Sequence, residues 1–262
     1  MPAPVAHRRI APSPATASVV EALFASERDH DAPHIGMPRP EIELVVRFGP
    51  AARGGLDAHA MGARQRVHRK TVVGVRRTVA ARFRLGAAEA ALGVPATDLA
   101  GRIVALEDLW GAAAAERVFE QLASASDAVE AAAILDRAIA ERLATTNTSR
   151  RFGSLASAAA GQLRAESRAT ANVGAIADEL GVSERHLRRV FREAYGVAPK
   201  TFAKLARFHR ALGAARLDQG VGWASIAAGA GYYDQAHLIA EFRAIAGVTP
   251  RALLGELGAA VP

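Results

Sequence analysis

"SERHLRRVFREAYGVAP", residues 183–199, and "DQAHLIAEFRAIAGVTP", residues 234–250, are two copies of one pattern. His186 aligns with His237, Leu187 with Leu238, Phe191 with Phe242, Arg192 with Arg243 and Pro199 with Pro250, always 51 residues apart. A matching run precedes each copy, "IADELG" at 176–181 and "IAAGAG" at 226–231. The join is one residue longer in the second unit, "YYD" against "VS". Each unit reads as a helix, a short glycine-containing turn and a second helix, the helix-turn-helix arrangement.

On a helix, Leu187, Val190, Phe191 and Ala194 fall at i, i+3, i+4 and i+7 and form one apolar stripe. Ser183 precedes it and can accept from the first free N–H groups. Arg185, Arg188, Arg189 and Arg192 repeat the spacing two residues out of phase, about 200° around the helix and so on the opposite face. A solvated face is the ordinary place for charge. A bland surface, however, mixes signs for i,i+4 pairing, and here Glu184 and Glu193 flank the arginine stripe. Four like charges repel unless a polyanion neutralises them, which points to nucleic acid.

"KTFAKLARFHRALGAARL", residues 200–217, separates the copies, with Phe202, Leu205, Phe208, Leu212 and Leu217 as its apolar side. A helix of that length spans about 27 Å. It can hold two recognition helices about one DNA turn apart, roughly 34 Å.

The rest of the chain bounds the reading. Its 262 residues suggest one large domain or two ordinary ones, and half are apolar, enough for a real core. Plentiful alanine and 5% aromatic content favour helix over a β-sandwich. The net charge of +7 and pI near 10.6 suit a polyanionic partner. No cysteine is present, which removes disulfides, zinc ribbons and thiol chemistry. No apolar run reaches the roughly 18 to 20 residues needed to span a bilayer. The N-terminus carries no signal-peptide pattern. A cytoplasmic protein without a membrane partner is expected.

Residues 1–40 are rich in proline and alanine, with a short strand or helix expected near Ser18–Ala25. "EIELVVRF", "TVVGV" and "TVAARFRL", between residues 41 and 85, read as short strands broken by glycine. From Gly86 the pattern turns helical, in "GAAEAALG", "WGAAAAERVFEQLASAS" and "DAVEAAAILDRAIAERLA", the last capped by Asp127. "TTNTSRRFGS", residues 145–154, is polar and reads as a boundary. The expected fold is an α+β N-terminal domain, a small barrel-like β-sheet followed by helices, over residues 1–145. A linker at 146–154 then leads to an all-α C-terminal domain, residues 155–262, of two helix-turn-helix units joined by a long helix.

Residues 160–257 resemble the DNA-binding domain of the AraC/XylS family of bacterial transcription regulators, with "GYYDQAHLIAEFRAIAGVTP" the most recognisable stretch. "VVGVRRTVAARFRLGAAEAALGVPATDLAGRIVALEDLWG" is more loosely similar to the N-terminal domain of uncertain function attached to some such regulators. The resemblance implies a seven-helix domain that binds double-stranded promoter DNA and contacts RNA polymerase, often as an activator. It implies base readers at Arg185, Arg188 and Arg189 in the first unit and at Gln235, Ala236, Ile239 and Ala240 in the second. Phosphate contacts would come from Ser183, His186, Arg192, Lys200, Lys204, Tyr233, His237 and Arg243. The chain departs from the pattern at Ala240, where family members commonly carry arginine. Moved on by 51 residues, the arginine face becomes Ala236, Ile239, Ala240 and Arg243. The second helix can then touch thymine methyls and place Gln235 on adenine, without bidentate guanine contacts. The first unit is therefore expected to supply most specificity, and the second mainly position.

Other constellations are weighed against plainer roles. His59 and His68 near Asp57 lack metal-ligand spacing, so no metal is expected. Glu41 and Glu43 read as a solvated strand face. Ten basic residues between Arg47 and Arg84 face only Asp57 in sequence. They read as a solvated sheet face, with an anionic effector pocket or an auxiliary DNA contact as alternatives. Trp110 reads as a packing anchor, and Trp223 as buried beneath the second turn. Of Tyr232 and Tyr233, one packs and one faces outward. No nucleotide-binding or hydrolase motif appears, and no cofactor is expected. The reading is a non-enzymatic transcription regulator, monomer or homodimer, responding to a small-molecule effector through its N-terminal domain. An N-terminal enzyme or ligand-binding domain with a DNA-binding appendage is the alternative. A scaffold using the basic helices on acidic proteins is a third.

Overall fold

A computed structural model describes residues 6–145, 154–165, 172–218 and 220–260. The expected linker at 146–154 lies outside the described residues except for Ser154, where a helix begins.

Among the described residues there are eight strands, β1 (Ala6–Ile10), β2 (Val20–Glu27), β3 (Ala32–Gly36), β4 (Glu43–Phe48), β5 (Leu56–Met61), β6 (His68–Val72), β7 (Arg77–Phe83) and, after two short helices, β8 (Ile103–Ala105). Six form one antiparallel sheet in the order β1-β2-β7-β4-β5-β8, while β3 and β6 pair separately as a two-stranded ribbon. The valine-rich runs gave β4, β6 and β7 away. By contrast, β1, β3, β5 and β8 are short or rich in alanine, histidine and arginine, and their sequences carry little strand signal.

Alternation of side chains gives the main sheet two unlike faces. Leu23, Leu44, Val46, Val79, Ala81 and Phe83 are buried on one face. They pack beneath α5 (Ala128–Thr145), which lies along β2 and β7. Helices α1 (Ala88–Leu92), α2 (Ala96–Leu99), α3 (Leu106–Trp110) and α4 (Ala112–Ala123) complete that core. Trp110 is buried there and donates its indole N–H to the Ala91 carbonyl at 2.9 Å. Asp127 accepts from the Val129 and Glu130 amides, each at 2.8 Å, and caps α5 as expected. The other face of the sheet is polar and looks toward the ribbon.

The C-terminal part is helical: α6 (Ser154–Ala165), α7 (Val173–Glu179), α8 (Glu184–Tyr195), α9 (Pro199–Leu217), α10 (Trp223–Ala230), α11 (Gln235–Ala246) and α12 (Pro250–Ala260). Each half of α9 belongs to a different core. Phe202 and Ala203 join Leu187, Phe191 and Tyr195 of the first unit, while Leu205, Phe208, Ala211 and Leu212 join Leu238, Phe242 and Ile245 of the second. Leu217 departs from the apolar side expected for it and stands 91% exposed at the end of α9.

The two parts touch closely. Gly196, just past α8, adopts φ +69°, and a Cβ there would fall 2.7 Å from the Ala96 carbonyl oxygen of α2. Only glycine meets both the left-handed turn and the close approach. On the other flank, the Val67 amide donates to the Ile245 carbonyl at 2.9 Å, and His209 on α9 bonds the Pro38 carbonyl through Nε2 at 2.6 Å.

Candidate nucleic-acid interface

Both units are assembled by the same local chemistry. Ser183 accepts from the His186 amide at 3.2 Å, and Asp234 accepts from the His237 amide at 2.7 Å. Gly181 and Gly231 turn the chain between the helices of each unit with positive φ, and Gly196 and Gly247 end α8 and α11 in the same way. Leu187 and Phe191 in α8, like Leu238 and Phe242 in α11, are fully buried. Burying those side chains fixes which face of each recognition helix stays outside.

In α8, Ser183, Arg185, His186, Arg189 and Arg192 are exposed and Arg188 is half-buried. In α11, Gln235, Ala236, Ala240 and Arg243 are exposed, while His237 and Ile239 are half-buried. Ile239 also packs against the second core. Lys200 is exposed and Lys204 half-buried on α9. Tyr232 is buried and Tyr233 stands 87% exposed beside the second turn. None of the residues expected to meet DNA is buried. Trp223 differs from expectation, being half-buried against the second core rather than enclosed.

The arginine stripe is less bare than its sequence suggests. Arg188 pairs with Glu184, and Arg189 reaches Glu193 at 2.9 Å, both i,i+4 along the helix. Those glutamates therefore answer two of the four charges instead of merely flanking them. Exposed pairs of this kind contribute little to stability, so they give way readily to a stronger anion. Arg185 and Arg192 have no carboxylate partner among the described residues. Thr97 of α2 lines the same recess as the four arginines, so the N-terminal part borders the stripe.

Sequence reasoning missed a buried pair behind the second recognition helix. Glu241, on the inner side of α11, meets Arg207 of α9 at 3.0 Å, both side chains under 10% exposed. The corresponding position in α8 is Val190, 51 residues earlier. A charge next to Phe242 and one turn from Leu238 was the available signal.

The basic run from Arg47 to Arg84 is a solvated face only in part: Arg66, Arg69, Lys70, Arg76 and Arg84 are exposed, whereas Arg47, Arg64, Arg77 and Arg82 are half-buried. Glu43 is buried and gathers Arg39 at 3.0 Å, Arg64 at 2.8 Å and Arg82 at 3.0 Å. The solvated reading of Glu43 fails because the register sets it opposite Arg82. Glu41 is half-buried near Arg164, and its carboxyl is pushed up by that burial. Arg47 takes Asp57 through two bonds of 2.9 and 2.7 Å. Arg76 meets Asp31, and Arg77 donates to the carbonyls of Ala125 and Ser126. The acids that answer this run come from other elements, out of view of a local reading.

His59 sits 3.4 Å from Asp57, yet burial and the Arg47 charge hold its imidazole below the usual range. Among the described residues, no group of three or more His, Asp or Glu is placed to hold a metal ion. Among them, no helix is long and apolar enough to cross a membrane.

Residues 176–255 match the family model described as "Helix-turn-helix domain". That range begins in α7 and ends in α12, so it spans both units. Residues 176–255 are therefore a helix-turn-helix domain of the AraC type. Among solved structures, the chain is similar to the C-terminal domain of AraT, a response regulator from Geobacillus stearothermophilus. Identity there is 21% over 39% of this chain and 84% of that one, with a TM-score of 0.36. A transcriptional regulator from Chromobacterium violaceum is 23% identical over 37% of this chain and 87% of that one, TM-score 0.34. ToxT from Vibrio cholerae is similar over 88% of this chain and 97% of its own, at 9% identity and TM-score 0.47. No curated protein matches the chain.

Proposed function

We propose that the chain reads promoter DNA chiefly through α8, seats itself through α11, and takes its signal through the N-terminal part, residues 1–145. The observation that carries this reading is the contrast between two equally capped, equally buried helices, only one of which presents a full arginine stripe. Arg185, Arg188 and Arg189 are the base readers, with bidentate guanidinium contacts to guanine as the available chemistry. Gln235 reads adenine, and Ala236, Ile239 and Ala240 meet thymine methyls. Ser183, His186, Arg192, Lys200, Lys204, Tyr233, His237 and Arg243 hold phosphates and set the register. The partners are promoter DNA, a small-molecule effector and, for activation, RNA polymerase. The segment 146–154 divides the sensing part from the DNA-binding domain at 155–262.

The test is selection of bound sequences from a random duplex pool with the full chain, followed by base-by-base substitution of the selected site. A two-part site is expected, with the half beneath α8 the more sensitive to substitution. Equal losses in both halves would overturn the division of labour. Binding without sequence preference would overturn the operator reading itself. Velocity sedimentation on the selected duplex counts the copies bound.

A further inference from the structure

The N-terminal part meets both helix-turn-helix units at the ends of their recognition helices. Gly196, just past α8, lies against Ala96 and Ala100 at α2. Ala63, between β5 and β6, joins the first core with Tyr195 and Val197. Four residues on, Val67 packs against the second core, and its amide donates to the Ile245 carbonyl of α11. The segment from 63 to 67 is therefore fastened to one unit at each end. Gln65 and Arg66, in its middle, are exposed.

Arg66 lines a groove of about 560 Å³ formed by that segment, the β3–β6 ribbon and the turn before β8. Arg64, His68, Lys70 and Arg102 line it too, and no acid does. Arg64 is answered by Glu43. Arg66 and Arg102 are exposed, and neither has a carboxylate partner among the described residues. The turn holds Arg102 in place: its guanidinium donates to the Asp98 carbonyl at 3.1 Å, and its own carbonyl accepts from the Gly62 amide at 3.1 Å. Asp98, the acid of α2, is exposed outside the groove, its carboxylate 3.4 Å from the Thr97 hydroxyl.

This groove and the arginine stripe of α8 flank one short element. Thr97 of α2 lines the recess that holds the stripe. Arg102 follows five residues later, within about 17 Å even for a fully extended chain. Positive charge thus runs from the stripe, past α2, to the middle of the bridging segment. The C-terminal ends of α8 and α11 present free carbonyls and partial negative charge, poor neighbours for phosphate. Cations beside those ends offset it.

We propose that the N-terminal part is itself a DNA-binding surface, in which Arg66 and Arg102 hold backbone phosphates where the operator passes the C-terminal ends of α8 and α11. The proposal rests on the reading of α8 as the groove-entering helix and adds a contact outside both helix-turn-helix units. Guanidinium groups suit phosphate oxygens, and such contacts set position without reading bases. A signal that moves the N-terminal part then alters the grip on DNA directly, without first deforming either unit.

The test is operator binding by the full chain across a salt series, followed by anisotropy. R66A and R102A should each reduce the slope of log affinity against log salt by about one, and R66A/R102A by about two. At 0.1 M salt each single variant should bind roughly five- to tenfold more weakly. The sequences selected from a random pool should stay those of the parent. R66K and R102K should restore most of the slope, which separates lost charge from lost packing. R8A removes the same charge from β1, at the opposite edge of the main sheet from β8, and should leave the slope unchanged. Neutral methylphosphonate linkages, introduced one at a time, should include positions that weaken the parent yet cost nothing further in R66A/R102A.

An unaltered slope in R66A/R102A, an equal fall in R8A, or no rescue by the lysine variants overturns the proposal. So does tighter binding by R66A/R102A, which would mean that the N-terminal part obstructs DNA. A changed base preference overturns the phosphate assignment. In each case sequence-selective binding by the parent leaves the regulator reading standing, and its absence in the parent would sink that reading separately.

Discussion

The two helix-turn-helix units share a backbone plan and differ in where they put charge. Both have a side-chain cap bonded to a histidine amide, a buried leucine and phenylalanine, and a left-handed glycine at the end. The first unit turns its charges outward, as Arg185, Arg188, Arg189 and Arg192 on α8. The second turns one inward, as Glu241 held by Arg207, and leaves Gln235, Ala236, Ala240 and one arginine, Arg243, exposed on its outer face. Duplicated architecture thus need not mean duplicated chemistry. Burial fixes the shared fold, and the free faces are available to diverge.

That contrast can be broken first at the buried pair. R207L should cost about 3 to 5 kcal/mol in chemical denaturation, because it strands a buried carboxylate. R207L/E241L should recover most of the loss. At the equivalent place in the first unit, Val190→Ala should cost only on the order of 1 kcal/mol. A similar loss in both units would mean that the second core does not depend on its ion pair.

Next in size is the proposed reading of bases. Arg188→Ala and Arg189→Ala should each weaken operator binding by about 1 to 3 kcal/mol and relax preference at one base pair. Ile239→Ala should do less. If the α11 substitution costs more, the roles of the units are reversed.

The caps sharpen what the units have in common. Ser183→Ala and Asp234→Ala should each lower stability by about 1 kcal/mol, with near-equal shifts in melting. Arg192→Ala and its counterpart Arg243→Ala should each reduce the slope of log affinity against log salt by about one, for one phosphate contact apiece.

The smallest effect is in pH. Burial holds the imidazole of His209 below its ordinary 6.5. The unfolded chain therefore takes up this proton first as the pH falls. Stability contributed by the neutral ring is present above pH 6.5 and is lost progressively below it. His209→Gln should flatten the melting profile between neutral and mildly acidic buffer. An unchanged profile would mean that the contact with Pro38 does not depend on a neutral ring.

The C-terminal half was legible because its signals are local. Helical period, caps and glycine turns lie within a few residues of each other, and a repeat states them twice. The N-terminal half hid its logic in pairings across the chain. Asp31 answers Arg76 and Glu256 answers Arg69, 187 residues away, so the basic run looked bare when read alone. The same limit applied inside α8, where Arg188 and Arg189 found glutamates that the stripe seemed to leave aside. Strand β5, "LDAHAM", has too little β-branched character to announce itself.

Gly196 has a consequence for how information flows. With no space for even a methyl group between the end of α8 and α2, a tilt of that helix on the proposed operator would press on the N-terminal half. Linkage makes such traffic reciprocal: a molecule that alters the grip on DNA must have its own affinity altered by DNA to the same factor. The promoter would then be a ligand in the full sense, tuning how sensitively each bound copy of the protein answers its chemical cue.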